Sequence, residues 1–148
     1  MSDPRYNQPT DQPERTLEQR RAADALCKTM EIHDAQPPWA SSYRSYVDSL
    51  PAGIVMNGLG QALATELASA GAGDEDGGDA PAHERLFQNV ATWLVEQIAA
   101  YDDPDRLLAD IMNHSEQDYL HAQAEALAWL NWHKKFCRAY LRSRGDDR

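Results

Sequence analysis

The chain has 148 residues, with 24 Asp and Glu against 14 Lys and Arg, and a formal net charge of -10. This length suits one domain, and a hydrophobic fraction of 42% is enough for a core, which excludes wholesale disorder. The acidic balance excludes binding of nucleic acid over the whole surface, because attraction to phosphate needs a positive field, but a local basic stripe stays compatible. No apolar run is long enough to span a membrane, no signal peptide is visible, and the two cysteines lie far apart, so we expect a soluble, cytoplasmic protein.

The first part of the chain is predicted to form a tail followed by a helix. Residues 1–15 are polar and contain three prolines, which predicts a flexible N-terminal tail. Thr16 and Gln19 fit a capping box at a helix start, and the helix is predicted to run to about His33. Apolar positions with spacings of three and four predict its buried face: Ala22, Ala23, Leu26 and Met30.

Two further helices are predicted to meet at Leu50–Pro51, because proline suits the first turn of a helix. The apolar repeat of the first is Tyr43, Tyr46, Val47 and Leu50. The apolar repeat of the second is Val55, Leu59, Leu63 and Leu67. The second helix tolerates three glycines that weaken it, which predicts a close approach to its backbone at Gly53, Gly58 and Gly60.

The remaining segments alternate between breakers and apolar repeats. Residues 71–81 are rich in Gly, Asp and Glu and are predicted to form an acidic, disordered insert loop. Asp103 and Pro104 fit the start of a short helix that ends near His114, and Ser115 fits the cap of a long last helix. Between the insert and that short helix, a fourth helix carries the stripe Phe87, Val90, Leu94, Ile98 and Tyr101.

No segment shows the alternation or the β-branched enrichment of a strand. The fold class is therefore predicted to be all-α, a single-domain helical bundle of about six helices with a long C-terminal helix. This domain is expected to span residues 16–145, followed by a short tail at residues 146–148.

The predicted last helix divides its side chains sharply between two faces. At 100° per residue, one half of the helical wheel collects the apolar side chains and two others: Trp129, Leu130, Trp132, His133, Phe136, Cys137, Tyr140 and Leu141. The opposite face is basic, with no acid between residues 129 and 145, and we call it the basic arc: Lys134, Lys135, Arg138 and Arg142. Two interpretations are open: a solvated face whose cations favour the negative end of the helix dipole, or a stripe that faces phosphates.

Catalytic and metal-binding patterns do not assemble. The five histidines lack the spacing of a ligand set, and the acidic insert lacks the positions of a calcium loop. Cys137 lies beside cations that could activate a thiol, yet it falls on the apolar half of its helix, which favours a buried, inert cysteine. We expect no enzyme activity, no metal and no cofactor.

Two segments together resemble the small α-helical subunit family of the type III-B (Cmr-type) CRISPR effector complexes. The first, residues 43–64, contains the Leu-Pro pair at Leu50–Pro51 and an Asn-Gly-Leu turn at residues 57–59. The second, residues 125–136, places a tryptophan before a basic pair and an aromatic residue. The resemblance covers about residues 16–142, and the chain departs from it at His133, where an aliphatic residue is expected, in the acidic insert at residues 71–81, and in its net charge.

The resemblance implies a non-catalytic subunit that stacks in a short filament with copies of itself inside the effector complex. Its expected role is to lie along the guide RNA and target RNA, stabilise target binding in antiviral defence, and contact the other subunits. The residues expected to bind RNA are Arg44, Lys134, Lys135, Arg138 and Arg142, with Arg20 and Arg21 as outer candidates. The alternative is a free helical adaptor that binds a partner protein without RNA contact and has no need of a basic arc.

Overall fold

Six α-helices and one 3₁₀ turn form the part of the chain that the computed structural model describes, which is residues 14–71, 78–143 and 145. The helices are α1 (Leu17–Ala35), α2 (Ala40–Asn57), α3 (Leu59–Gly71), α4 (Ala80–Gln97), α5 (Leu107–Asn113) and α6 (Glu116–Tyr140). The 3₁₀ turn, Pro104–Arg106, precedes α5. No strand occurs among the described residues, and the all-α prediction with a long C-terminal helix is confirmed.

Parts of the predicted domain division lie outside the described residues. These parts are residues 1–13 of the N-terminal tail, residues 72–77 of the insert, and residues 146–148. At both edges of the predicted insert loop, residues 71–81, helix replaces loop, because α3 includes Gly71 and α4 begins at Ala80.

Side-chain caps begin the helices where the sequence predicts them. Thr16 Oγ1 accepts a hydrogen bond from the Gln19 amide at 3.0 Å, and Gln19 Oε1 accepts one from the Thr16 amide at 2.8 Å. Ser115 Oγ accepts from the Asp118 amide at 3.1 Å and starts α6. In α1, however, the predicted buried row is displaced, since its fully buried residues are Ala25, Thr29 and Ile32.

The predicted helix junction at Leu50–Pro51 is wrong. α2 continues through Pro51 to Asn57, because Leu50 and Ile54 on either side of the proline are buried in the core and hold the helix together. The chain breaks instead at Gly58, whose φ of 87° and ψ of 158° suit glycine alone.

α6 fixes the start of α3 by direct contact with its backbone. The Leu59 amide donates to Gln123 Oε1 at 2.9 Å, and the Gly60 amide donates to Tyr119 Oη at 3.2 Å. A Cβ atom at Gly58 would lie 2.8 Å from the same hydroxyl. The predicted close approach is therefore confirmed at Gly58 and Gly60, and it is wrong at Gly53, where a Cβ would meet nothing within 4 Å.

The core lies around α6, which packs against α1, α2 and α4. The predicted stripe from Phe87 to Tyr101 is buried throughout, but α4 ends at Gln97, so Ile98 and Tyr101 belong to the segment that follows the helix. Trp129 is the largest fully buried side chain among the described residues. The stripe predicted across residues 55–67 fails at its ends, because Val55 is 71% exposed and Leu67 is also exposed. The outward-facing end of α2 lies beside the start of α6 and leaves apolar side chains uncovered at that end of the bundle: Val55, Met56, Met112 and Leu120.

Candidate nucleic-acid interface

The basic arc occupies one outer face at the C-terminal end of α6. Lys134, Arg138 and Arg142 follow one another at intervals of four residues, with Lys135 beside them, and Arg142 lies just beyond the helix end. Lys135, Arg138 and Arg142 are exposed and Lys134 is half-buried. No Asp or Glu occurs from Ala126 to Arg142, so this stretch of α6 contributes only positive charge to the face.

Buried polar contacts fix the orientation of α6 beneath this face. His133 is fully buried, and its Nδ1 lies 3.1 Å from the Ala25 carbonyl oxygen, which can only accept a hydrogen bond. Nδ1 therefore donates, and Nε2 accepts a hydrogen bond from the Tyr43 hydroxyl at 2.7 Å. Asn89 Nδ2 donates to the Tyr43 hydroxyl oxygen at 2.8 Å. This network joins α1, α2, α4 and α6 through one neutral imidazole.

Thr29 completes the network from α1. Its hydroxyl lies 3.1 Å from His133 Nδ1 and donates to the Ala25 carbonyl at 2.9 Å. The sequence pattern places His133 on the core face, but nothing in that pattern identifies Tyr43, Asn89 and Thr29 as its partners, because they come from three other helices. The departure from an aliphatic residue at position 133 is thus compensated by hydrogen bonds.

The network makes stability depend on pH. Burial lowers the pKa of His133 from 6.5 to about 4, because the interior does not solvate an imidazolium ion. Below pH 6.5 the unfolded chain binds a proton at His133, whereas His133 of the folded chain stays neutral until the pH falls to about 4. The stability that depends on neutral His133 is therefore complete above pH 6.5 and is lost as the pH falls from 6.5 to about 4. We expect His133 to account for a loss of about 2 kcal/mol between pH 7.5 and pH 5, measured by urea unfolding.

The control for this pH dependence is His133→Gln, which cannot titrate. Its free energy of unfolding is expected to vary less between pH 7.5 and pH 5 than that of the parent chain, by the same amount of about 2 kcal/mol. Equal pH dependence in the two chains would contradict the assignment of a buried, neutral His133.

Arg138 of the basic arc forms an ion pair with a residue of a neighbouring helix. Its Nε donates to Asp48 Oδ1 of α2 at 2.9 Å, with the arginine side chain 52% exposed and the aspartate 38% exposed. Such an exposed pair contributes little to stability. A phosphate group that binds Arg138 must compete with Asp48.

Arg44 has a structural contact at the end of α6. Its Nη1 donates to the carbonyl oxygen of Leu141 at 3.2 Å, and its side chain is half-buried. The last carbonyls of a helix lack partners within the helix and carry its partial negative charge, so a guanidinium group there stabilises the helix end. Arg44 thus lies near Arg142 of the basic arc, and it also caps α6.

The two lysines differ from these arginines. Neither Lys134 nor Lys135 forms an ion pair with a carboxylate in the described part of the chain. Their ammonium groups are thus available to an anionic partner on the outer face of α6.

The two outer candidates lie on α1 and have different surroundings. Arg20 is exposed, whereas Arg21 makes a two-pronged contact with Glu125 through Nε at 2.6 Å and Nη2 at 2.8 Å. Burial alone would raise the pKa of Glu125, but hydrogen bonds from Arg21 and Trp93 lower it below its usual value. Arg21 is therefore committed to a nearly buried carboxylate and is not a free surface cation.

A cleft of about 610 Å³ lies where the α1–α2 loop meets the end of α6. We call it the end cleft; its lining includes Gln36, Pro37, Pro38, Tyr140, Leu141 and Arg142. Arg142 belongs to both the basic arc and the end cleft. The Pro-Pro pair in the sequence predicts a rigid loop, but the sequence does not show that this loop lies against the end of α6.

The described residues also bear on three other functions: thiol chemistry, metal binding and membrane insertion. Burial raises the pKa of the Cys137 thiol to about 12, which keeps it protonated and unreactive. Within residues 14–71 and 78–143, no three His, Cys, Asp or Glu side chains gather into a group that could hold a metal ion. None of the helices in the same part of the chain has the length and apolar character to cross a membrane.

The fold and its surface define an all-helical protein whose last helix carries a basic arc, with no group of potential metal ligands in the described part of the chain. The family model of a CRISPR-associated protein, Cas_Cmr5, matches residues 17–140. A crystal structure of a CRISPR-associated Cmr5 family protein from Thermus thermophilus is similar, with a TM-score of 0.66 and 28% sequence identity. The match covers 87% of this chain and 100% of that chain.

The chain therefore belongs to the Cmr5 family, the small structural subunits of type III-B (Cmr) CRISPR complexes. The family indicated by the resemblance at residues 43–64 and 125–136 is confirmed.

Proposed function

We propose that this chain is a non-catalytic small subunit that stacks along the guide and target RNA of a type III-B complex and stabilises target binding through its basic arc. The observation that carries the proposal is the outer face of α6, where Lys134, Lys135, Arg138 and Arg142 lie without an intervening acid. A protein that faces a duplex whose sequence is read by base pairing needs only shape and positive charge.

The overall charge of -10 explains why the arc would act only within an assembly. The field of the whole chain repels a polyanion, so the isolated subunit is expected to bind RNA weakly. In the complex, partner subunits hold the arc at the RNA, where the nearby cations outweigh more distant acids because salt screens charges beyond about 10 Å.

Stacking of copies is supported by the difference between the two ends of α6, which at 25 residues is about 37 Å long. The first end carries the exposed apolar side chains Met56 and Met112 beside the acids Glu116 and Asp118. The basic arc lies on an outer face toward the other end, where stacking leaves it free to meet RNA. Burial of the apolar side chains against a different surface of a second copy generates a head-to-tail filament.

The stacking prediction concerns the apolar end. Replacing Met56 and Met112 with aspartate is expected to reduce the number of copies of this chain per reconstituted complex, counted by native mass spectrometry, because each copy would bury less apolar area and gain charge. Both side chains are more than 70% exposed, so circular dichroism of the free variant should be unchanged. An unchanged copy number would contradict stacking through this end.

The test of the RNA-facing arc is charge reversal at Lys134, Lys135 and Arg138 in a reconstituted complex. We expect weaker target-RNA binding and a salt slope, d log K/d log[salt], that falls by about 0.7 to 0.9 for each phosphate group that the variant no longer binds. Helix content should stay unchanged, because these side chains lie away from the buried half of α6.

Two control variants accompany this test. Arg15→Glu with Arg106→Glu places reversed charge at exposed positions outside α6 and its basic arc and should leave the salt slope unchanged. Asp48→Asn removes the carboxylate that competes for Arg138 and should strengthen binding. Unchanged affinity and slope in the arc variant would contradict the proposal, as would failed assembly of a subunit that stays folded, since the arc would then face protein.

A further inference from the structure

The end cleft is shaped by the free chain itself. Gln36 has φ of 48°, the one positive value for a residue other than glycine in the described part of the chain, and its amide donates to the Ile32 carbonyl at 3.0 Å. Two prolines then fix the next φ angles, and the Ala40 amide closes the turn on the Pro37 carbonyl at 3.1 Å. A residue held in the left-handed region at the mouth of a cleft costs free energy, and a rigid loop lowers the entropy lost when a ligand binds.

The lining of the end cleft combines an aromatic ring with positive charge. Tyr140 is 47% exposed, although the sequence pattern places it on the apolar half of α6. The Tyr140 and His33 rings are nearly perpendicular, with their centroids 6.3 Å apart. A hydrogen bond of 3.0 Å between His33 Nδ1 and Asp34 Oδ1 orients the imidazole. None of the residues that line the cleft is acidic, and Arg142 contributes a guanidinium group.

This chemistry fits a nucleotide better than an apolar peptide. An exposed tyrosine ring and proline faces offer surfaces for a nucleobase, a guanidinium group binds phosphate, and about 610 Å³ is within the range of small-ligand pockets. The cleft is also continuous with the basic arc through Arg142, so an RNA backbone that follows the arc leads to its mouth. A base inside a duplex is unavailable for stacking on protein, and the occupant must therefore be unpaired.

We propose that the end cleft holds one unpaired nucleotide of the bound target RNA, with its base against Tyr140 and its phosphate at Arg142. The inference rests on the proposed RNA-facing function and extends it, because it adds a site for a single base to a surface that otherwise recognises only charge.

The test uses reconstituted complexes and target RNAs that each carry one abasic nucleotide at a different position. An abasic nucleotide at a guide-paired position weakens binding with any variant, because it removes a base pair. At the unpaired position that each cleft holds, it should weaken binding by about 5- to 150-fold with the parent chain, the range for loss of one stacked base. Tyr140→Ala should weaken binding of intact RNA to a similar degree and abolish the effect of the abasic nucleotide at that position. Tyr140→Phe keeps the ring and should behave as the parent chain does.

Two results would overturn the inference: every abasic position has the same effect with the parent chain and with Tyr140→Ala, or Tyr140→Ala blocks assembly while the free chain stays folded. The last result would assign the cleft to a protein segment of a neighbouring subunit. The salt slope separates this inference from the proposed function, because Tyr140→Ala leaves the basic arc intact and should leave the slope unchanged. If charge reversal in the basic arc changes the salt slope as expected but no abasic effect depends on Tyr140, only the inference about the end cleft is contradicted.

Discussion

Replacing Glu125 with alanine is expected to destabilise the folded chain by about 3 kcal/mol, which lowers its melting temperature by roughly 6 to 12 °C. The Glu125 side chain is 2% exposed and accepts hydrogen bonds from Arg21 Nε and Nη2 and from Trp93 Nε1. Its removal leaves the partly buried guanidinium group with Glu18 as its remaining ion-pair partner and leaves the indole N–H without an acceptor. Thermal and urea unfolding of the free chain measure the loss of stability.

Two control variants test whether burial causes this cost. Asp48→Ala breaks the exposed pair with Arg138 and should cost less than about 1 kcal/mol. The double variant Arg21→Met with Glu125→Leu removes both charges and should be more stable than Glu125→Ala alone, because no unpaired charge stays in the interior. Equal costs for Glu125→Ala and Asp48→Ala would show that the Arg21–Glu125 pair is not a buried ion pair in solution.

Gly58→Ala is expected to destabilise the chain by at least about 2 kcal/mol. The substitution places a side chain at φ of 87°, and the new Cβ lies 2.8 Å from Tyr119 Oη, the atom that accepts from the Gly60 amide. The backbone strain and the displaced hydroxyl act together on the start of α3. Urea unfolding with a fixed m-value measures the change.

The matched control for this prediction is Gly53→Ala, five residues earlier and inside α2, where the new Cβ meets nothing within 4 Å. It should leave stability unchanged or raise it by up to about 1 kcal/mol, since alanine favours the helix. Adding Tyr119→Phe to Gly58→Ala should recover only the part of the destabilisation that comes from the steric clash. Equal stability of Gly53→Ala and Gly58→Ala would contradict the close packing of α6 on Gly58.

The sequence predicts those features of the fold that depend on neighbouring residues. The caps at Thr16 and Ser115 and the apolar stripe of α4 were predicted because capping and periodicity act within a few residues. The Leu50–Pro51 junction failed because burial of Leu50 and Ile54 by other helices outweighs the hydrogen bond that proline lacks. The pattern of neighbouring residues cannot show this burial, because it comes from other helices.

In the candidate site, too, the sequence predicts the features that depend on neighbouring residues and not those that depend on distant contacts. The one-sided charge of α6 is visible in the spacing of Lys134 and Arg138, and the structure places this face outward. The contacts of Arg44 with Leu141 and of Arg138 with Asp48 join residues about 90 or more positions apart, so periodicity could not reveal that two expected RNA-binding arginines already have protein partners. The end cleft likewise requires the α1–α2 loop and the end of α6 together.

Photocrosslinking from the basic arc distinguishes a surface that faces RNA from one that faces protein. A benzophenone amino acid is placed at Lys135, which is exposed and forms no ion pair among the described residues, and the variant is assembled into the complex with labelled guide and target RNA. The same amino acid at Arg106, exposed in the 3₁₀ turn, is the control. An RNA-facing arc predicts an RNA crosslink from position 135 and none from position 106. Crosslinks from position 135 to protein alone, in a complex that binds its target RNA normally, would contradict the proposed function.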